Sequence, residues 1–536
     1  MAISADQTAL HRLRTSRLMD GNHRNSRMRN LAVWNYVIAA EIASGSQFLQ
    51  ADKSLFMYLG LTHEICSLPA SGRGGERVMS YLNQVYGLSQ TDAIGKFVYS
   101  NLRDYALANG AQAPLRRFSS YKVEDPTVYL SSYDGHMWRI DGGTPTKVPN
   151  GEDDVFFIDD DNGVPYEPDI GPHGILIDKL TDLNFAPCGL GGITPQQQKM
   201  AMIVWIFILA FPDIMPTKPL LIVEGTQGSG KSASVLMLQL ALMGEGNPMI
   251  LSKNKPDDFG VILLRSPIAV FDNTDSYIDW VPDSICAYVT SGSWTKRKLF
   301  SDADEVKIKP HAFIAVATKN PTSFRREDTA DRCLILRLER LERFRPLETL
   351  KRDILAQRPQ FMGEYIWYVN EIVNYLRVSN GDPVRDEDFR MADFATFARA
   401  VGAVMHWSDD SVTEMLSAMR DEQLAFVNEE DPLVDVLHKW IVYRGRGFQN
   451  IGRKVSLTEL FNELQTVAQA NEISMFDTIY KTPRALAQKV RSPHVTREFI
   501  VEMTANAGHK YYQIWRHSDA RLESVPDPGL RVEDIR

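Results

Sequence analysis

The sequence is poor in cysteine and has no long apolar run, and each shortage removes a class of protein. Its four cysteines, Cys66, Cys188, Cys286 and Cys333, stand far apart and form no C-x-x-C pair. Neither a zinc ribbon nor a disulfide-stapled scaffold fits that spacing, and a reducing compartment is the expectation. The longest apolar stretch, Met200 to Phe211, stops at Pro212 after 12 residues, whereas a bilayer needs about 20. It predicts a buried helix and no membrane partner. The start of the chain lacks an apolar leader core, which argues for a cytoplasmic protein, with an Arg-rich organellar presequence as the lesser alternative.

What is present is an ordinary globular composition, 44% apolar and 24% charged over 536 residues, a length that predicts roughly three or four domains. The net charge of −9 is unevenly spread. Residues 1–30 carry six arginines against two acids, and residues 431–517 carry twelve lysines and arginines against eight acids, so each stretch is +4 and the remainder is −17. Basic ends on an acidic body suit a polyanion held at chosen places. A solvated terminus accounts equally well for the first stretch.

Residues 1–30 therefore predict a basic flexible arm, and 31–170 an N-terminal α+β domain. Apolar positions at three- and four-residue spacing predict helices over 31–44, 75–86 and 93–108. Thr127–Tyr133, the turn Asp134-Gly135 and His136–Ile140 predict a hairpin, with a further strand at Val155–Ile158. Asp159–Asp161 before Asn162-Gly163 is an acidic turn rather than a polymerase-type metal site. Residues 159–192 are rich in Asp, Gly and Pro and predict a linker. Thr194-Pro195 then starts the apolar helix as N-cap and first helical residue.

Pro219–Glu224 is a branched apolar run of the kind that forms buried parallel strands. It leads directly into Gly225-Thr226-Gln227-Gly228-Ser229-Gly230-Lys231-Ser232, which fits G-x-x-x-x-G-K-[S/T] at every position. Glycines let successive backbone N–H groups turn inward onto a phosphate, Lys231 reaches the β and γ phosphates of a bound nucleotide, and the Ser232 hydroxyl is expected to ligate Mg²⁺. A second magnesium acid is expected at the end of a neighbouring strand, and Asp272 closes the run Pro267–Asp272. Its neighbour Asn273 can orient water but cannot take its proton. Asp275 is a candidate for that task, or simply a turn cap. Ala312–Thr318 predicts a third strand whose polar tip, Thr318 or Asn320, would sense the γ-phosphate. Arg332, just ahead of a strand Cys333–Leu338, is the candidate arginine finger, against the alternative of a structural ion pair with Glu327, Asp328 or Asp331. Between these elements, Trp294, Lys296, Arg297 and Lys298 lead into a turn at Ser301–Asp304. The pattern predicts a hairpin able to track a nucleic-acid backbone and stack a base, or else an edge strand blunted by lysines.

In this order, phosphate loop, Asp-Asn strand, basic hairpin, Thr/Asn-tipped strand and distal arginine resemble the superfamily 3 AAA+ helicases, in particular the helicase parts of phage and plasmid primase-helicases and related mobile-element ATPases. The resemblance covers about residues 170–345 and extends more loosely upstream, where Val128–Leu130 and Asn150–Phe157 are similar to the β unit that precedes the motor in that family. It implies an α/β P-loop core with ATP on Gly225–Ser232, Mg²⁺ on Ser232 and Asp272, DNA on the hairpin, and Arg332 acting across a subunit boundary in a homo-oligomeric ring, a hexamer around single-stranded DNA. The cell would be bacterial or phage-infected, and other replication proteins are possible partners. Asn273, where many members carry an acid, leaves the water-activating residue open.

Residues 346–430 predict a helical lid. Residues 431–517 predict three short helices and a hairpin, a winged-helix pattern in which Arg484, Lys489 and Arg491 of the third helix face outward toward duplex origin DNA, unless the module docks protein. Residues 518–536 predict a flexible tail. The expected function is an ATP- and Mg²⁺-dependent DNA helicase or translocase. A nucleotide-gated replication initiator or loader is the alternative, and a small-molecule kinase is a third reading.

Overall fold

The structure, a computed structural model, describes residues 5–21, 26–70, 75–158, 163–251, 256–275, 277–291, 294–297, 305–308, 311–379, 389–429, 432–442, 450–471, 473–506 and 509–517. Two compact units divide the chain. One holds 1–189, 193–324 and 331–419, the other 190–192, 325–330 and 420–536. Among the described residues, no helix is long and apolar enough to cross a membrane.

The first unit begins with a correction. Residues expected as a flexible arm form the helix Ala5–Asp20. Leu18 and Met19 pack on the neighbouring core, and the Arg12 guanidinium donates to the carbonyls of Asn83 and Gln84 at 3.0 and 2.9 Å. Those are end carbonyls of the helix Glu76–Tyr86, where a cation meets the negative end of the dipole. Part of the arm's basic charge is thus used to seat it. Residues 47–67 lie between the helices predicted over 31–44 and 75–86 and carry no predicted strand. They form an antiparallel sheet of Gln47–Ala51, Ser54–Leu59 and Glu64–Ser67. Its first turn, at Asp52 and Lys53, takes φ of 47° and 61° without a glycine, so the usual hairpin signal is missing from the sequence.

The hairpin at Thr127–Ser131 and His136–Ile140 forms as predicted, flanked by Ser119–Lys122 and Thr146–Pro149 in a four-stranded antiparallel sheet. Within the predicted linker, the short apolar run at 175–177 forms the helix Ile175–Leu180 and buries Leu176 and Leu180. Residues 159–162, the acidic turn, lie outside the described residues.

Thr194 caps the helix Pro195–Ile208, its hydroxyl accepting from the Gln197 N–H while the Gln197 side chain accepts from the Thr194 N–H. Met200 through Phe211 are all buried, which is why this run is apolar on every face. Thr194→Ala is expected to lower unfolding stability by about 1 kcal/mol, read from urea melts, since the cap satisfies otherwise orphaned helix donors.

Against this helix lies a parallel sheet of four strands, Leu220–Gly225 (β1), Ile268–Asp272 (β2), Phe313–Thr318 (β3) and Cys333–Leu338 (β4), in the order β2-β3-β1-β4. Met249 adds a parallel bridge to Phe271 outside β2. The strands are apolar and buried, as a sheet covered on both faces requires, apart from polar residues near their carboxyl ends, Glu224, Asp272, Thr318 and Arg337, of which Arg337 pairs with Glu224 at 2.8 Å. Parallel pairing brings the carboxyl ends of all four strands to one edge, the place where open α/β sheets bind ligands. Helices Leu347–Ala356, Arg358–Val378 and Ala392–Val404 extend the core, and the Tyr365 hydroxyl donates to the Ile206 carbonyl at 3.2 Å.

The second unit packs helices Leu433–Val442, Leu457–Ala470 and Pro483–Lys489 with a three-stranded antiparallel sheet whose middle strand is His509–Arg516, flanked by Val455–Ser456 and Phe499–Asn506. Its core centres on Trp440, Phe499, Tyr512 and Ile514, with the Trp440 indole N–H donating to Glu463 at 2.9 Å.

Candidate active site

The loop 225–232 leaves β1 at its carboxyl end and enters the helix Lys231–Met243. Gly228 and Gly230 take φ of 82° and 84°, left-handed backbone that a side chain would strain. Gly225 is needed for a different reason. A Cβ there would lie 2.4 Å from the Ser229 hydroxyl and 2.9 Å from the Leu338 carbonyl. The loop thus rests on both its own turn and β4, and the first turn of the helix directs backbone N–H groups into its hollow.

At the adjacent strand ends the acids and hydroxyls meet. The Ser232 hydroxyl donates to Asp272 Oδ1 at 2.8 Å, although 40 residues separate them. The Asn273 N–H donates to the same oxygen at 2.8 Å. Two hard oxygen donors side by side under a phosphate-type loop are the ligand class that suits Mg²⁺. Asn273 itself sits at φ 59°, a left-handed position that asparagine tolerates better than most residues. The amide that looked anomalous beside Asp272 therefore has a backbone reason.

Asp275 does not have the environment of a proton acceptor. Its Oδ1 accepts from the Thr318 hydroxyl at 2.9 Å and from the Lys319 and Asn320 N–H groups at 2.7 and 3.3 Å. Burial pushes its pKa up, but these hydrogen bonds and the charge of Lys231 outweigh burial and hold it below 3.8. The carboxylate ties the tip of β3 to the β2 loop. Thr318 is fully buried, its hydroxyl 2.9 Å from both the Thr274 carbonyl and Asp275, whereas Asn320 is half-buried at the tip. Asp275→Ala is expected to loosen that tip, lowering turnover about tenfold with little change in nucleotide affinity. Because the folded pKa lies below the unfolded value, the stabilisation by Asp275 is complete above about pH 4 and disappears as pH falls through the folded value. Melts of wild type and Asp275→Ala should therefore converge in strong acid.

Sequence reasoning missed the segment after β4. The Leu341 N–H donates to the Gly228 carbonyl at 3.0 Å, and the Phe344 ring lies 3.1 Å from where a Gly228 Cβ would stand. No motif marks these residues, and only the register of β4 against β1 brings them over the loop.

Arg332 precedes β4, and its carbonyl accepts from the Leu220 N–H at 2.9 Å. Its Nη1 lies 3.8 Å from the Cys286 sulfur. Arg332 is thus at the amino edge of the sheet, five strand residues or about 16 Å from the loop of its own chain. The other arginines of the segment are committed elsewhere. Arg325 pairs with Glu429 at 3.0 Å over the Phe426 ring, and Arg326 pairs with Asp328 at 2.5 Å.

Trp294–Arg297 pairs antiparallel with Glu305–Ile308, placing Trp294 opposite Ile308, Lys296 opposite Val306 and Arg297 opposite Glu305. Lys298 and the predicted turn lie outside the described residues. In the second unit Arg484 is exposed and Lys489 half-buried on Pro483–Lys489, with Leu486 buried beneath them. Arg491, expected on that helix, falls beyond its end, although it too is exposed.

Residues 188–420 match the family model described as "Actinomycete integrative conjugative element replication protein". Among solved structures, the chain is similar to "the apo structure of NrS-1 C terminal region", at 11% identity over 89% of this chain and 98% of that one, with a TM-score of 0.45. It is also similar to "SCCmec type IV Cch - active helicase", at 11% identity over 88% of this chain and 91% of that one, with a TM-score of 0.44. No curated protein matches in sequence.

Proposed function

We propose that this protein is an ATP-hydrolysing, Mg²⁺-dependent DNA helicase or translocase of the superfamily 3 type, serving replication of a mobile genetic element as a ring of identical subunits. The observation that carries the reading is the Ser232–Asp272 contact beside a glycine-built loop at the carboxyl edge of a parallel sheet. Support also comes from the strand order, with Met249 outside β2, and from a hairpin between β2 and β3. The match of residues 188–420 to a replication-protein family points to the same cellular task.

In this reading loop N–H groups and Lys231 would hold the phosphates of ATP, and Ser232 with Asp272 would hold Mg²⁺, which would supply charge neutralisation for phosphoryl transfer. Asn320 faces the γ-phosphate in preference to the buried Thr318. Asn273 orients water, and Asp275 fixes the strand tip instead of accepting a proton. Trp294 and Lys296–Lys298 contact single-stranded DNA, and the C-terminal unit is a winged helix that presents Arg484, Lys489 and Arg491 to duplex DNA. A second reading, a nucleotide-gated initiator or loader, is favoured by Asn273 in place of an acid. ATP turnover with and without single-stranded DNA separates the two. Stimulated turnover with strand displacement supports the motor, and nucleotide-dependent DNA binding without turnover supports the loader.

A further inference from the structure

A cavity of about 380 Å³ opens at the amino edge of the sheet, away from the loop. Its floor is built by the first residues of β3 and the approach to β2, Pro267, Ala312 and Phe313. Its volume lies within the range of small-ligand sites, roughly 300 to 1,000 Å³.

The charge around it is one-sided. Arg116, Arg117, Arg265 and His311 line the cavity, and Asp52 is the one acid among the described lining residues. Three separate elements supply these side chains. Arg116 ends the strand Leu115–Arg116, Arg265 ends the helix Pro256–Arg265, and His311 leads into β3. Arg116 pairs with Asp213 through Nη2, while its Nε and Nη1 are buried and make no hydrogen bond. The charge of Asp213 also acts on the buried Lys218, so one carboxylate serves two cations. Burial, and then the charge of Arg265, pushes the pKa of Arg117 down to about 10. Guanidinium groups gathered in a concave, partly dry site favour an anion with several acceptor oxygens, which a phosphate group offers in the planar geometry that arginine matches.

We propose that this cavity is a second phosphate site, distinct from the loop 225–232, which takes one phosphate group carried either by a nucleic-acid strand or by a free phosphate compound. Its position favours the strand, because His311 follows the hairpin strand Glu305–Ile308 by three residues. The site stands on the cavity and its charges and does not require the loop to hydrolyse ATP.

The test uses the full chain and Arg265→Gln, a change at an exposed helix end, with Arg117→Gln as the second variant and Arg352→Gln as a control for charge alone. Arg352 is 76% exposed and does not line the cavity. Two probes are titrated with excess ADP and Mg²⁺ present to fill the loop: a labelled oligo-dT at several salt concentrations, and inorganic pyrophosphate by calorimetry. If the source is a strand, both cavity variants bind oligo-dT about tenfold more weakly, with the salt slope smaller by about one, and the control does not. If the source is a free compound, pyrophosphate binding is lost in both variants while oligo-dT binding is unchanged. Wild-type affinity for both probes in folded Arg265→Gln, or equal losses in Arg352→Gln, would overturn the proposal.

Discussion

Lys231→Ala is expected to lower ATP turnover by roughly a hundred- to a thousandfold while the chain keeps its melting temperature. The size follows from the role proposed for the lysine. A preorganised cation aimed at charge that develops in the transition state is worth about 10² to 10³ in rate when removed. The side chain is half-buried at the first position of the helix after the loop, so truncation leaves no large cavity and the fold has little to lose. Asp272→Asn should cost a similar factor by a different route. It keeps the size of the side chain but removes the charge that Ser232 and Asn273 now address, so added Mg²⁺ should partly restore turnover in Asp272→Asn and not in Lys231→Ala. Phosphate release measured against Mg²⁺ concentration reads both. Turnover in Lys231→Ala within tenfold of wild type would remove the loop from the chemistry.

The legible parts of the molecule were those in which one physical requirement acts on adjacent residues. The loop needs left-handed glycines next to a lysine and a hydroxyl, and all lie within 225–232. The strands β1 to β4 are buried on both faces through most of their length and so are written as apolar runs, interrupted only near their carboxyl ends by residues such as Glu224 and Arg337. The capped helix at Thr194-Pro195 carries its start signal locally. Illegible parts depend on partners far along the chain. The surroundings of Asp275 are set by backbone groups 44 and 45 residues away, which no local pattern around Asp275 announces. Helix Ala5–Asp20 reads as a charged arm because its anchor is a pair of carbonyls more than 70 residues distant. The strands at 47–67 were hidden by a turn with no glycine, and the cover of Leu341 and Phe344 over the loop by a contact that exists only once β4 is in register with β1.

Arg332 allows the sharpest separation between a ring motor and a self-contained enzyme. Its place about 16 Å of strand away from its own loop means that any action on a γ-phosphate is on the nucleotide of another subunit. Arg332→Ala is then expected to lower turnover about a thousandfold or more, the effect of losing an arginine finger, without altering nucleotide affinity to the same degree. The decisive experiment mixes it with Lys231→Ala. Each variant alone lacks one half of every site. In an assembly shuffled at equal ratio, an intact loop meets an intact arginine at about one interface in four, so turnover should recover to about a quarter of wild type when interfaces act independently, and to less when they fire in sequence. Any recovery far above the sum of the two variants requires sites shared between chains. Activity that stays at that sum, with mixed assembly verified, would assign Arg332 to the structural contact with Cys286 and require the transition-state cation to come from elsewhere.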